Sequence, residues 1–151
     1  MPELHTSKLA YLAEHPDALA VYCSDGRFTG AVAELLRSLG YDRLDTLTIP
    51  GGPALFEMTS SSLTSVDTTR KAASFLIDAH EIKHITLLAH HGCGYYRAQF
   101  FHEAPDLLRA RQIADLRNSA AWLRASHRDV EVVAYFARPE DGHISFDPID
   151  C

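Results

Sequence analysis

Apolar residues fall along this chain in two alternating rhythms, short unbroken runs and stretches spaced by three and four. Leu4, Leu9, Leu12 and Ala13 share one side of a segment running to His15, which predicts a short amphipathic helix ended by Pro16-Asp17. Ala18 to Tyr22 is a continuous apolar run, predicting a buried strand. Phe28, Val32, Leu35, Leu36 and Leu39 then recur at helical spacing until Gly40. Leu44 to Ile49 predicts a second strand, closed by Pro50-Gly51-Gly52-Pro53. Ala54 to Ser65 reads as a polar loop, with Ser60-Ser61-Ser62 as a mobile stretch at its middle. Val66, Thr69, Ala73, Leu76, Ile77 and His80 mark a helix, and His84 to Ala89 a third strand.

Beyond an aromatic stretch (Tyr95-Tyr96, Phe100-Phe101), a long helix is predicted from Pro105 to Ser126. Val130 to Ala137 is the most strand-like run, and Glu140-Asp141-Gly142 turns the chain into a last strand, Ile144 to Phe146. Strands alternating with helices predict an α/β fold. The expected architecture is three αβα layers around a central, mostly parallel sheet of order 2-1-3-4, with an antiparallel edge strand. In that order the connections reverse between the first and third strands, opening a crevice at the strands' carboxyl ends.

Composition narrows the classes. A chain of 151 residues, 46% hydrophobic, predicts one domain over 1–151 with a core of its own. A net charge of −6 argues against nucleic acid as a partner. No apolar run approaches the roughly 20 residues of a membrane span, so no membrane partner is expected. The opening Met1-Pro2-Glu3-Leu4-His5 lacks a secretory layout, and three cysteines suit a reducing, cytoplasmic setting. Cys151 is given no role.

The candidate chemistry lies in two polar islands placed directly after predicted strands. They are Cys23-Ser24-Asp25-Gly26-Arg27 and His90-His91-Gly92-Cys93. If the two strands are neighbours, Cys23, His90 and Cys93 converge, and two thiolates with one imidazole and an open position outline a catalytic zinc site. Sulfur and nitrogen donors favour zinc over magnesium or calcium. His90 is preferred to His91, because successive side chains at a strand end point to opposite faces. His91 faces solvent or orients a ligand. Asp25 has two possible partners: the metal, as a fourth ligand that closes the site, or Arg27, whose guanidinium can hold a carboxylate bidentately. A metal-free alternative makes Cys23 or Cys93 a nucleophile with His90 or His91 as base.

Cys23-x-Asp25-x-Arg27 followed by His90-x-x-Cys93 resembles the paired motif of the β-class carbonic anhydrases, and the element order over residues 18–147 resembles that family's core. The resemblance implies reversible hydration of carbon dioxide to bicarbonate by a zinc-bound hydroxide. It implies Zn2+ on Cys23, His90 and Cys93, with Asp25 and Arg27 as a catalytic dyad. It also implies a homodimer or higher homo-oligomer whose active sites lie near the subunit interface. Four departures mark a compact, divergent member. Ile49-Pro50-Gly51-Gly52-Pro53 stands where the family has Arg-Asn-Ala-Gly, no glutamine precedes Cys23, bulky Tyr95-Tyr96 follows Cys93-Gly94, and the N-terminal arm is short. Alternatives are a zinc scaffold with little hydratase activity, and a hydrolase of carbonyl sulfide or carbon disulfide.

The remaining features have weaker expectations. Pro50 to Pro53 is either a turn needing positive φ or a place where backbone N–H groups meet a small anion. Tyr95, Tyr96, Phe100 and Phe101 are expected in packing or dimer contacts, and Phe56 as an apolar wall for a gas substrate. His80, His84, His102, His127 and His143 are expected at the surface or at helix ends.

Overall fold

A computed structural model describes all 151 residues. Its elements are β1 (Ala18–Cys23), α1 (Gly26–Ser38), β2 (Asp45–Ile49), a 3-10 turn (Gly52–Phe56), α2 (Leu63–Ala79), β3 (His84–His90), α3 (Gly94–Gln99), α4 (Pro105–Ser126), β4 (Glu131–Glu140) and β5 (His143–Ile149). The sheet order is β2-β1-β3-β4-β5, as expected; β1 to β4 are parallel and β5 runs antiparallel along β4.

Period-two alternation sorts the strand residues to the two faces of the sheet. Leu19, Val21, Ile85 and Leu87 join Ala73 and Ile77 of α2 and Leu116, Ala120 and Leu123 of α4 in the larger core. Ala20 and Leu88 point the other way, onto Phe28, Val32 and Leu36 of α1. The result is helices on both sides of the sheet.

Caps fix the helix ends near the site. Asp25 accepts from the Arg27 N–H (2.9 Å) to start α1. The helix closes where the N–H groups of Gly40 and Tyr41 reach the carbonyls of Arg37 and Leu36, both at 3.0 Å, with Gly40 at φ +96°. Ser62 caps α2, which starts at Leu63, ahead of the Val66 that the apolar spacing marks.

Three expectations are corrected. No helix forms between Leu4 and His15: Leu4, Leu9, Tyr11 and Leu12 are exposed and find no apolar partner in the chain, and a helix that short is marginal alone. Arg43 instead grips the carbonyls of Leu12 (3.1 Å) and Glu14 (2.6 Å). Phe56 does not wall a substrate site; it is buried in the larger core and stacks on Trp122. The Ser60-Ser61-Ser62 stretch is fastened rather than loose, with Ser60 on Asp115 (2.5 Å), Ser61 on Tyr95 (2.7 Å) and Ser62 as the α2 cap. The aromatic stretch after Cys93 holds a short helix, α3.

Candidate metal centre

Parallel pairing of β1 with β3 puts the carboxyl ends of both strands side by side, so the two polar islands meet at the switch point. The donor atoms of Cys23, His90 and Cys93 all lie within 4.8 Å of one another. The two sulfurs are 4.0 Å apart. Tetrahedral thiolates about 2.3 Å from one zinc ion sit at nearly that spacing, about 3.8 Å.

His90 carries the fit further. Its Nδ1 meets the His91 carbonyl at 2.8 Å, and because a carbonyl only accepts, Nδ1 holds the hydrogen. Nε2 is then the lone-pair nitrogen, and it is buried with no hydrogen-bond partner. A buried polar atom left unpaired costs about 1–3 kcal/mol, so a lone-pair nitrogen beside two sulfurs fits the donor set of a metal ion. The side chain of His91 is exposed and lies outside the group; only its carbonyl contributes.

The two sulfurs lie within hydrogen-bonding distance and push each other's titration in opposite directions. Cys23 is pulled well below the ordinary cysteine range, first by the hydrogen bond from Cys93 and then by the backbone N–H groups of Gly51 and Asp25, against its own burial. Cys93 is pushed up by Cys23 and by burial. A divalent cation would displace the Cys93 proton and hold both groups as thiolates.

Asp25 is turned onto Arg27. Nε of Arg27 lies 3.0 and 3.1 Å from the two carboxylate oxygens, and Nη2 lies 2.6 Å from Oδ2. Nη2 also donates to the Gly92 carbonyl (3.2 Å), tying one island to the other. The guanidinium holds the Asp25 carboxyl at about 2, below the usual carboxylate range. Oδ2 nevertheless remains 3.9 Å from Nε2 of His90, close enough to compete for a metal.

The Pro50 to Pro53 turn serves the sulfur. Gly51 (φ +87°) donates its N–H to Cys23 Sγ at 3.4 Å. Gly52 (φ +50°) passes so close that a Cβ there would stand 2.7 Å from the backbone nitrogen of Cys23. Gly52→Ala is therefore expected to cost about 1–3 kcal/mol in chemical denaturation, since only backbone could yield. A variant as stable as the parent would contradict this close fit.

Two buried residues of α4 escaped the sequence reading. Gln112 donates from Nε2 to the His90 carbonyl at 2.9 Å, and Asp115 accepts from the Tyr96 hydroxyl at 2.5 Å. Burial and Asp115 push the Tyr96 phenol up, so it remains the donor. The signal was present: Gln112, Asp115 and Ser119 share the three-and-four spacing of Leu116, Ala120 and Leu123, so polar residues occupy a core stripe. Beside Cys93 lies a cavity of about 450 Å³ bordered by Tyr96, Phe100, Phe101, Leu108 and Arg109.

A parallel-sheet α/β fold thus carries, at its switch point, a soft three-donor group that could hold a metal ion. The profile of the family described as "Putative carbonic anhydrase" matches residues 5–145, and the chain belongs to the β-carbonic anhydrase family. No curated protein matches it in sequence. Among solved structures it is similar to a carbonic anhydrase from Streptococcus mutans (17% identity, TM-score 0.57, covering 91% of this chain and 86% of that one). It also resembles β-carbonic anhydrases of Sordaria macrospora, described as tetrameric (16%, 0.55, 88% and 81%), and CafD of Aspergillus fumigatus (12%, 0.55, 97% and 96%). No helix is long and apolar enough to cross a membrane.

Proposed function

We propose that this chain is a zinc enzyme that reversibly hydrates carbon dioxide to bicarbonate, with Cys23, His90 and Cys93 holding the metal and Asp25 and Arg27 acting as a pair. The observation that carries the reading is the buried Nε2 of His90, without a hydrogen-bond partner and within 4.8 Å of the sulfurs of Cys23 and Cys93. Zinc bound there would supply Lewis acidity that makes water nucleophilic near neutral pH.

The chain's own residues set the geometry. Arg27 occupies both oxygens of Asp25, which keeps that carboxylate off the donor group and leaves a position open. Held at about 2, Asp25 stays ionised at neutral pH; it accepts a hydrogen bond from the attacking water and orients it without storing its proton. The Gly92 carbonyl steadies Arg27 through the same Nη2 that meets Asp25. Two reduced sulfurs are required throughout, which supports a reducing compartment such as the cytoplasm.

Stopped-flow hydration across a range of pH, with zinc measured on the same samples, tests this. Zinc-replete protein silent at every pH would sink the hydratase and favour a scaffold, and turnover of carbonyl sulfide or carbon disulfide alone would reassign the substrate.

A homo-oligomer belongs to the same proposal. Leu4, Leu9 and Tyr11 are exposed on an arm without regular structure, and burial against a second copy would remove that apolar surface from water. Deleting residues 1–11 is expected to lower the mass seen by light scattering; a truncated chain of unchanged mass would remove the arm from the interface.

A further inference from the structure

The buried polar row of α4 is costly as core. Gln112 and Asp115 are each 3% exposed. Apolar side chains at such positions normally serve stability as well or better, because each buried polar group must recover its lost hydration. Asp115 forms no ion pair; its partners are the hydroxyls of Tyr96 (2.5 Å), Ser60 (2.5 Å) and Thr59 (3.2 Å). Gln112 spends its amide on the His90 carbonyl, at the last residue of β3. Ser119, the third member, makes only long contacts, 3.3 Å to the Pro53 carbonyl and 3.4 Å to Glu57.

Two of these partners, the His90 carbonyl and the Tyr96 hydroxyl, lie on the ligand-bearing segments. Gln112 holds the peptide of His90 itself. Asp115 holds Tyr96, three residues past Cys93 and on the first turn of α3. One rigid helix of 22 residues thus reaches both halves of the second island. We propose that Gln112 and Asp115 are positioning residues for the metal centre, fixing the His90 backbone and, through Tyr96, the Cys93 segment so that the donors stand in place before a cation arrives. The proposal rests on reading Cys23, His90 and Cys93 as that centre. Partners one layer behind metal ligands are typically worth about 10–100-fold in metal affinity.

Cobalt(II) substitution tests it apart from any activity. The full-length parent should take up cobalt with the thiolate charge-transfer and tetrahedral visible bands of two sulfurs and a nitrogen. A parent without those bands overturns the metal reading and this proposal together. Given the bands, Gln112→Leu and Tyr96→Phe should bind cobalt about 10–100-fold more weakly in competition with a chelator, with shifted bands. Leu123→Ala is the control: it opens a cavity in the larger core, away from the ligand segments, and should lower stability while leaving the spectrum and affinity unchanged. Tyr96→Phe removes a single hydroxyl and keeps the test alive should Gln112→Leu fail to fold. Folded variants with the parent's spectrum and affinity, or a Leu123→Ala protein that loses cobalt equally, would overturn the positioning role.

Discussion

Cys93→Ser is expected to lose its metal and its hydration activity together. A serine hydroxyl does not ionise near neutral pH, so the substitution removes a thiolate donor and leaves Cys23 and His90 as a two-donor remnant. After dialysis against a chelator, zinc should fall from ~1 per chain to background, since a site of this class needs three protein ligands. Carbon dioxide hydration should fall to the uncatalysed rate in the same samples. The fold should survive, because serine is close to cysteine in size and burying its hydroxyl costs about 1–3 kcal/mol. The opposed pulls on the two thiols add a pH dependence with a definite sign. The hydrogen bond from Cys93 pulls the Cys23 thiol well below the ordinary cysteine range, while Cys23 and burial push Cys93 up toward its thiol form. Metal uptake must expel the Cys93 proton, so affinity weakens as pH falls and a proton appears in the buffer on binding. Stoichiometric zinc in Cys93→Ser, or catalysis that outlives the metal, would defeat the assignment.

The strands were legible because both sheet faces are covered, so β1 and β3 read as near-continuous apolar runs. Pro105 marked the start of α4 and the spacing of Leu116, Ala120 and Leu123 its body. The segment from Leu4 to His15 misled for a physical reason: periodicity reports a face that wants burial, and says nothing of whether a partner lies within the same chain. The choice between His90 and His91 came from strand alternation and from the two residues that separate His90 from Cys93. The partner of Asp25 did not, because a carboxylate 3.9 Å from Nε2 of His90 and 2.6 Å from Arg27 is a contest decided by distances. The partners of Gln112 and Asp115 were not legible for a related reason. A polar residue in an apolar stripe announces a partner, and only the packing of α4 against β3 and α3 says which one.

Arg27→Ala tests that contest. The variant should keep its zinc and lose turnover by ~10²-fold or more, the usual scale for a positioned group acting on a proton in flight. Charge does not explain such a loss at neutral pH. Without the guanidinium the Asp25 carboxyl rises from about 2 toward the ordinary ~4, and it is ionised at pH 7 in either case. What changes is direction: a carboxylate no longer held on both oxygens is free to move from Arg27 toward the donor group and occupy the open position. Cobalt-loaded Arg27→Ala should therefore show bands displaced from the parent's, and adding Asp25→Ala should return them toward a site with an exchangeable fourth position. The same pair gives a modest acid signature. Because the folded value of Asp25 is depressed, its contribution to stability is present above ~4 and vanishes as pH falls toward about 2, so parent and variant should converge in acid unfolding over that window. The effect is small, since Arg27 is 67% exposed and water screens the pair. An Arg27→Ala protein that holds zinc, shows the parent's cobalt bands and turns over at the parent's rate would mean that Asp25 needs no keeper.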